Sequence, residues 1–238
     1  MNRSPAQTSE VAVSDPPLKP SVLMSMLGPG VAVATARPIP VEDQLFPDER
    51  QHIARAVVKR KAEFGTARLC ARRALAELGI APCSLVPRGD RSPRWPPGVK
   101  GSISHTKDCC LVAVTRAPEV IGLGIDVEED VPLRPELIAN VCTPDEQRWL
   151  DGFDQEAKGR LGMLIFSAKE SFYKCQYDTT RTFIEFHDVQ LSVDLSAGEF
   201  SVAKIRPEGP QWNRVRRAAG KFKRAAGFIV TTTLLTAP

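Results

Sequence analysis

A short pattern occurs twice in this chain. Pro47-Asp48-Glu49 returns as Pro144-Asp145-Glu146, an offset of 144 − 47 = 97 residues. The same offset sets Ala71-Arg72-Arg73 over Ala168-Lys169-Glu170, Gly101 over Gly198, and Leu27 to Ala34 over Gly124 to Val131. Internal repetition restricts topology more than any single motif, because each copy has to be one supersecondary unit repeated. Each half reads as a strand, a helix with acids in its first turn, a core helix and then a hairpin. The expected fold class is therefore α+β, built from two similar lobes.

Within the first copy, the turn Gly28-Pro29-Gly30 leads into a strand over 30–35, and Pro47-Asp48-Glu49 opens a helix. A second helix is expected from about Ala62 to Leu78, stopped by Gly79. It turns Phe64, Leu69 and Leu75 toward a core and spaces Arg68 and Arg72 four apart. Pro87 to Pro97 reads as a loop. Lys100 to His105 with Cys109 to Thr115 reads as a hairpin, and Val120 to Val127 as the next strand. Late strands are expected over Glu199 to Ile205 and Phe228 to Leu235. Residues 1–20, rich in Ser, Pro and charge, read as a disordered arm. The first lobe is expected over 21–118 and the second over 119–238.

Composition removes several classes. With 238 residues, 42% of them apolar, the chain can bury a large core. A net charge of +4 is too mild for a dedicated nucleic-acid binder. No apolar run approaches the roughly 18 residues of a membrane span, and Met1 to Pro20 has no signal-type apolar centre. The six cysteines form no C-x-x-C pair. They read as small core residues in a reducing cytoplasm.

Chemistry concentrates in two segments. In Gly124-Ile125-Asp126-Val127-Glu128, apolar and acidic residues alternate, so a strand buries one face and presents Asp126 and Glu128 on the other, facing an open cleft. In Phe166-Ser167-Ala168-Lys169-Glu170-Ser171-Phe172-Tyr173-Lys174, helical spacing puts Glu170 and Lys174 on one face. Three carboxylates, Asp126, Glu128 and Glu170, suit Mg²⁺, or Mn²⁺ as a second choice. Lys169 and Lys174 would answer the charge of a phosphate.

These two segments resemble the signature motifs of the Sfp-type 4′-phosphopantetheinyl transferases, and Gly101-Ser102-Ile103-Ser104-His105-Thr106 resembles that family's upstream motif. The resemblance runs from about Leu27 to Thr236. Arg68-Leu69-Cys70-Ala71-Arg72 with Trp95-Pro96 is most similar to the siderophore-type bacterial branch. The resemblance implies a pseudo-twofold pair of α+β lobes with the active site in the cleft between them. It also implies transfer of the phosphopantetheine arm of coenzyme A to a serine of an apo acyl or peptidyl carrier protein, releasing adenosine 3′,5′-bisphosphate. Asp126, Glu128 and Glu170 would hold the metal, and Lys174, Lys169, Ser104 and His105 would attend the phosphates. Arg60, Arg68 and Arg91 look like ligands of the 3′-phosphate and adenine edge. Either Glu170 or Lys174 would take the serine proton.

A metal-dependent phosphodiesterase or nuclease could use the same acids. Arg214, Arg216, Arg217, Lys221, Lys223 and Arg224 form a basic segment that reads as a soluble turn, a carrier-docking surface or a nucleic-acid patch. With both lobes in one chain, a monomer is expected.

Overall fold

The computed structural model describes residues 16–237. The first lobe comprises α1 (Pro20–Leu27), β1 (Val31–Ala36), α2 (Pro47–Ile53), α3 (Val58–Glu77), β2 (Lys100–His105) and β3 (Cys110–Thr115). The second comprises β4 (Val120–Glu129), α4 (Pro135–Val141), α5 (Pro144–Leu150), α6 (Gln155–Thr180), β5 (Val189–Asp194), β6 (Glu199–Ile205), α7 (Pro210–Val215), β7 (Ala219–Ala225) and β8 (Phe228–Thr236). A three-stranded sheet of order β1-β3-β2 and a five-stranded sheet of order β4-β8-β7-β6-β5 are antiparallel throughout.

The repeat is carried by one buried carboxylate in each lobe. In α2, Glu49 accepts from the N-cap amide of Phe46 at 3.1 Å, from Arg72 of α3 at 2.9 Å and from Leu85 N at 2.9 Å. In α5, Glu146 accepts from Thr143 N at 2.7 Å, from Lys169 of α6 at 2.7 Å and from Leu191 N at 2.8 Å. Each acid completes its helix's N-terminus and ties it to the long core helix and to the chain beyond. The 97-residue offset holds for these helices, with Pro47 over Pro144 and Val58 over Gln155. It fails for the strands. By pairing, β1-β3-β2 corresponds to β4-β8-β7, and the β5–β6 hairpin is an addition of the second lobe that breaks the register. Gly101 therefore corresponds to Gly220 rather than to Gly198. A Cβ at Gly101 would lie 2.7 Å from the Trp95 ring, and one at Gly220 would lie 2.0 Å from Phe200.

Both faces of β1 and β3 are apolar because both are covered. Ala34, Val112 and Val114 face α3, while Val33, Leu111 and Ala113 meet Leu123, Ile125 and Val230 of the second lobe. Leu23 and Met26 of α1 pack on this shared core, and so does Leu18, which is 1% exposed. The disordered arm expected over 1–20 therefore does not extend through residues 16–20, and its first 15 residues lie outside the described ones.

Two close approaches position the cleft. A Cβ at Gly124 would sit 1.8 Å from Ser171 O, and one at Gly122 would sit 2.6 Å from Cys175 O. Since backbone atoms cannot step aside, only glycines let α6 lie this near β4. Strand β2 runs beside β4 without a backbone ladder between them. Instead Ile125 N donates to Ser102 Oγ at 3.0 Å and Val127 N to Ser104 Oγ at 3.3 Å, so serine hydroxyls join the two sheets.

The basic stretch, read as a soluble turn, a carrier-docking surface or a nucleic-acid patch, runs from the end of α7 into β7. Arg216 donates to Ile205 O, Lys223 to Ser25 Oγ, and Arg224 to Asp130.

Candidate active site

Asp126 sits at the joint of β4, β2 and α6. Its pleat face is the one expected, yet it is only 2% exposed, which corrects the expectation of an open-cleft carboxylate. Oδ1 accepts from Lys174 Nζ at 2.6 Å and Ser104 Oγ at 2.8 Å, and Oδ2 accepts from Ser167 Oγ at 2.8 Å. Ser104 Oγ in turn accepts from Lys174 Nζ at 3.2 Å. A buried carboxylate needs such partners.

Glu128 and Glu170 line the same cavity, of about 1130 Å³, as Asp126 and Lys174. Burial, reinforced by the charge of Asp126, pushes Glu128 up to about 7. Burial also raises Glu170, against the pull of Lys174. Among the described residues no three carboxylate, histidine or cysteine side chains converge as a ready-made metal cage. The donor chemistry nonetheless fits a hard divalent cation. All three acids present oxygen only, and their proximity penalises negative charge that a cation would relieve.

The opposite wall comes from the first lobe. Arg68 of α3 is 6% exposed, donates from Nε to Leu85 O at 2.8 Å, and stacks 3.8 Å over the Phe64 ring. Burial lowers its pKa to about 10, so it stays charged at neutral pH. Arg60 Nη1 lies 3.2 Å from His105 Nε2, and Glu63 Oε2 lies 3.8 Å from His105 Nδ1. Burial lowers the His105 pKa. The loop after α3 brings Arg88 and Arg91 to the cavity, with Arg91 at φ 68°. Asp90 of that loop accepts from Tyr177 of α6 at 3.0 Å, which fastens the first lobe to the second across the rim.

Two adjoining family models match this chain. The 4′-phosphopantetheinyl transferase N-terminal domain covers residues 48–115, and the 4′-phosphopantetheinyl transferase superfamily covers residues 122–228. The chain is also 40% identical over 197 residues, 82% of its length, to 4′-phosphopantetheinyl transferase Svp of Streptomyces mobaraensis, covering 80% of that protein. The chain belongs to the Sfp-type 4′-phosphopantetheinyl transferase family. It is 33% identical over 178 residues to 4′-phosphopantetheinyl transferase Npt of Nocardia iowensis, covering 74% of this chain and 79% of that one. Enterobactin synthase component D of Escherichia coli is 37% identical over 139 residues, 57% of this chain and 63% of that protein.

One residue of the sequence reading does not belong to the transferase's cavity. Lys169, expected at a phosphate, is 2% exposed and spends its three donors on Val141 O at 2.9 Å, Glu146 at 2.7 Å and Phe186 O at 2.8 Å. The repeat already held this information, because Lys169 stands where Arg72 stands in the other lobe. Arg60, Arg68, Arg91, Ser104, His105, Asp126, Glu128, Glu170 and Lys174 all line one cavity. Sequence reasoning missed the Tyr177–Asp90 contact. Its partners are 87 residues apart, and neither falls in a motif.

Proposed function

We propose that this transferase moves the 4′-phosphopantetheine arm of coenzyme A to a serine hydroxyl of an apo acyl or peptidyl carrier protein, releasing adenosine 3′,5′-bisphosphate. The observation that carries this reading is the two-walled cavity. Lys174 and three carboxylates stand on the wall made by β4 and α6, and the arginines stand on the first-lobe wall. A pyrophosphate with a distant third phosphate needs that division of charge. Asp126, Glu128 and Glu170 would hold Mg²⁺, which when bound supplies charge neutralisation at the pyrophosphate. Arg68 presents a fixed fork to the 3′-phosphate, oriented by its stacking on Phe64 and its bond to Leu85 O. Arg60 and Arg91 complete that anchorage, and His105 and Ser104 face the bridging phosphates. The serine oxygen forms the new P–O bond as the bond from that phosphorus to the bridging oxygen breaks. Positioning and charge supply most of the catalysis in such a transfer.

Glu170 takes the serine proton. It lines the cavity beside Lys174, whose Nζ is already engaged by Asp126 at 2.6 Å. The six cysteines are all free thiols, which suits work in the cytoplasm. No helix among the described residues is long and apolar enough to cross a membrane. The enzyme acts as a monomer, since both cavity walls come from one chain; light scattering showing an obligate oligomer would contradict this. Incubating enzyme, coenzyme A, Mg²⁺ and apo carrier, then weighing the carrier, tests the reaction. Metal-dependent cleavage of nucleic acid with no carrier modification would favour the nuclease instead.

A further inference from the structure

The helical face of α6 that carries the reacting groups continues one turn beyond the motif. Glu170, Lys174 and Tyr177 follow one another at helical spacing, and all three line one cavity. Lys174 turns to Asp126, whereas Tyr177 reaches the first lobe. Its hydroxyl donates to Asp90 Oδ2 at 3.0 Å. The Tyr177 ring is braced by its own helix, with the Tyr173 ring 5.7 Å away and the Arg181 guanidinium 5.6 Å from its centre.

Asp90 spends its two oxygens in different directions. Oδ1 accepts from Ser92 N at 2.9 Å and Ser92 Oγ at 2.6 Å, which closes the turn where Arg91 stands at φ 68°. Two main-chain bonds complete that turn, Arg88 N to Ser92 O and Arg91 N to Arg88 O, each at 2.9 Å. A residue other than glycine keeps a left-handed backbone only where its surroundings hold it there. Oδ2 goes to Tyr177, so one carboxylate joins the turn that aims Arg91 to the helix that carries Lys174. Donation from Ser92, and then from Tyr177, holds Asp90 down at about 2, which keeps it an acceptor at any pH near neutral. Arg91 lines the same cavity as Arg60 and Arg68. Among the described residues its side chain makes no hydrogen bond or ion pair, so its aim depends on the backbone turn.

We propose that Tyr177 and Asp90 are positioning residues for Arg91, and that their contact across the rim sets how strongly the enzyme selects coenzyme A over a cofactor lacking the 3′-phosphate. The proposal rests on the transferase reading above, in which Arg91 meets that phosphate. Without the contact the turn swings away from the cavity, and apparent affinity falls with the fraction of time that Arg91 is in place. The cluster at Asp126 and Lys174 keeps its bonds, so turnover at saturation is untouched.

The test uses full-length enzyme, with coenzyme A or dephospho-coenzyme A titrated in a calorimeter and turnover on an apo carrier protein measured beside it. Tyr177→Phe keeps the ring and removes only the hydroxyl. It should weaken coenzyme A about fivefold and leave both dephospho-coenzyme A affinity and kcat within about twofold. Asp90→Ala should weaken coenzyme A at least as much, and adding Tyr177→Phe to it should weaken binding no further. Asp90 is exposed, so its replacement leaves the core intact and tests the same link if Tyr177→Phe fails to fold. Unchanged selection between the cofactors, equal weakening of both, or additive effects in the double variant would reduce the contact to a structural tie and overturn the proposal. A raised kcat with unchanged coenzyme A affinity would make it a gate on release and overturn the proposal too. Wild-type enzyme that binds the two cofactors equally would overturn the 3′-phosphate anchorage on which the proposal stands, and wild-type enzyme that binds neither would overturn the transferase reading itself.

Discussion

Replacing Lys169 by Met separates a structural lysine from a phosphate ligand. Methionine keeps the length of the side chain but removes three hydrogen bonds, to Val141 O, Glu146 and Phe186 O. Breaking one side of a buried ion pair costs about 3–5 kcal/mol. Glu146 keeps two main-chain donors, Thr143 N and Leu191 N, so the lower end, about 3 kcal/mol, is expected. For a chain of this size 1 kcal/mol moves Tm by about 2–4 °C, which gives a fall of about 6–12 °C. Adding Glu146→Gln should restore part of the loss, because the stranded charge disappears. Arg72→Met in the first lobe should behave alike, since Arg72 faces Glu49 in the same way. Differential scanning calorimetry reads the Tm, and coenzyme A titration of the folded variant reads binding. An unchanged Tm with a tenfold weaker coenzyme A KM would refute the reasoning and return Lys169 to the phosphate.

Asp126→Asn should lower turnover by orders of magnitude and also lower Tm, because Lys174, Ser104 and Ser167 lose an ionic acceptor worth about 1.5–3 kcal/mol; a variant with wild-type melting would contradict the buried placement. Arg68→Lys keeps the charge but loses the fork, so it should raise the KM for coenzyme A well above any effect on dephospho-coenzyme A, and equal effects on the two would make Arg68 structural. Glu128 rises from an ordinary value of 4.5 to about 7, so the folded protein holds a proton there that the unfolded chain releases. Metal-free stability should therefore decline as pH rises from about 4.5 to about 7, while metal affinity grows over the same window, and Glu128→Gln should weaken both trends in pH-dependent melting and Mg²⁺ titration, the remainder coming from Glu170, which burial also raises.

The residues that carry chemistry were legible because their spacing has only one good geometric solution. Asp126 and Glu128 alternate with Ile125 and Val127, and Glu170 stands one helical turn from Lys174, so strand and helix each present their polar groups on one face. What spacing cannot say is which face a third element covers. Asp126 reads as exposed until Ser104 from the other lobe and Ser167 from α6 close over it. Lys169 sits on the opposite side of α6 from Lys174, and only the carboxylate of Glu146 decides its role. The repeat located both long helices, but β5 and β6, inserted after α6, moved every later strand out of register.

The most direct measurement is the mass of an apo carrier protein after incubation with this enzyme, coenzyme A and Mg²⁺, with released nucleotide identified in the same mixture. The account predicts a carrier heavier by one phosphopantetheine group on a serine, one adenosine 3′,5′-bisphosphate per modified carrier, and loss of both on chelation of the metal or in Asp126→Asn. A carrier of unchanged mass, under conditions in which the enzyme is folded and binds coenzyme A, would contradict it.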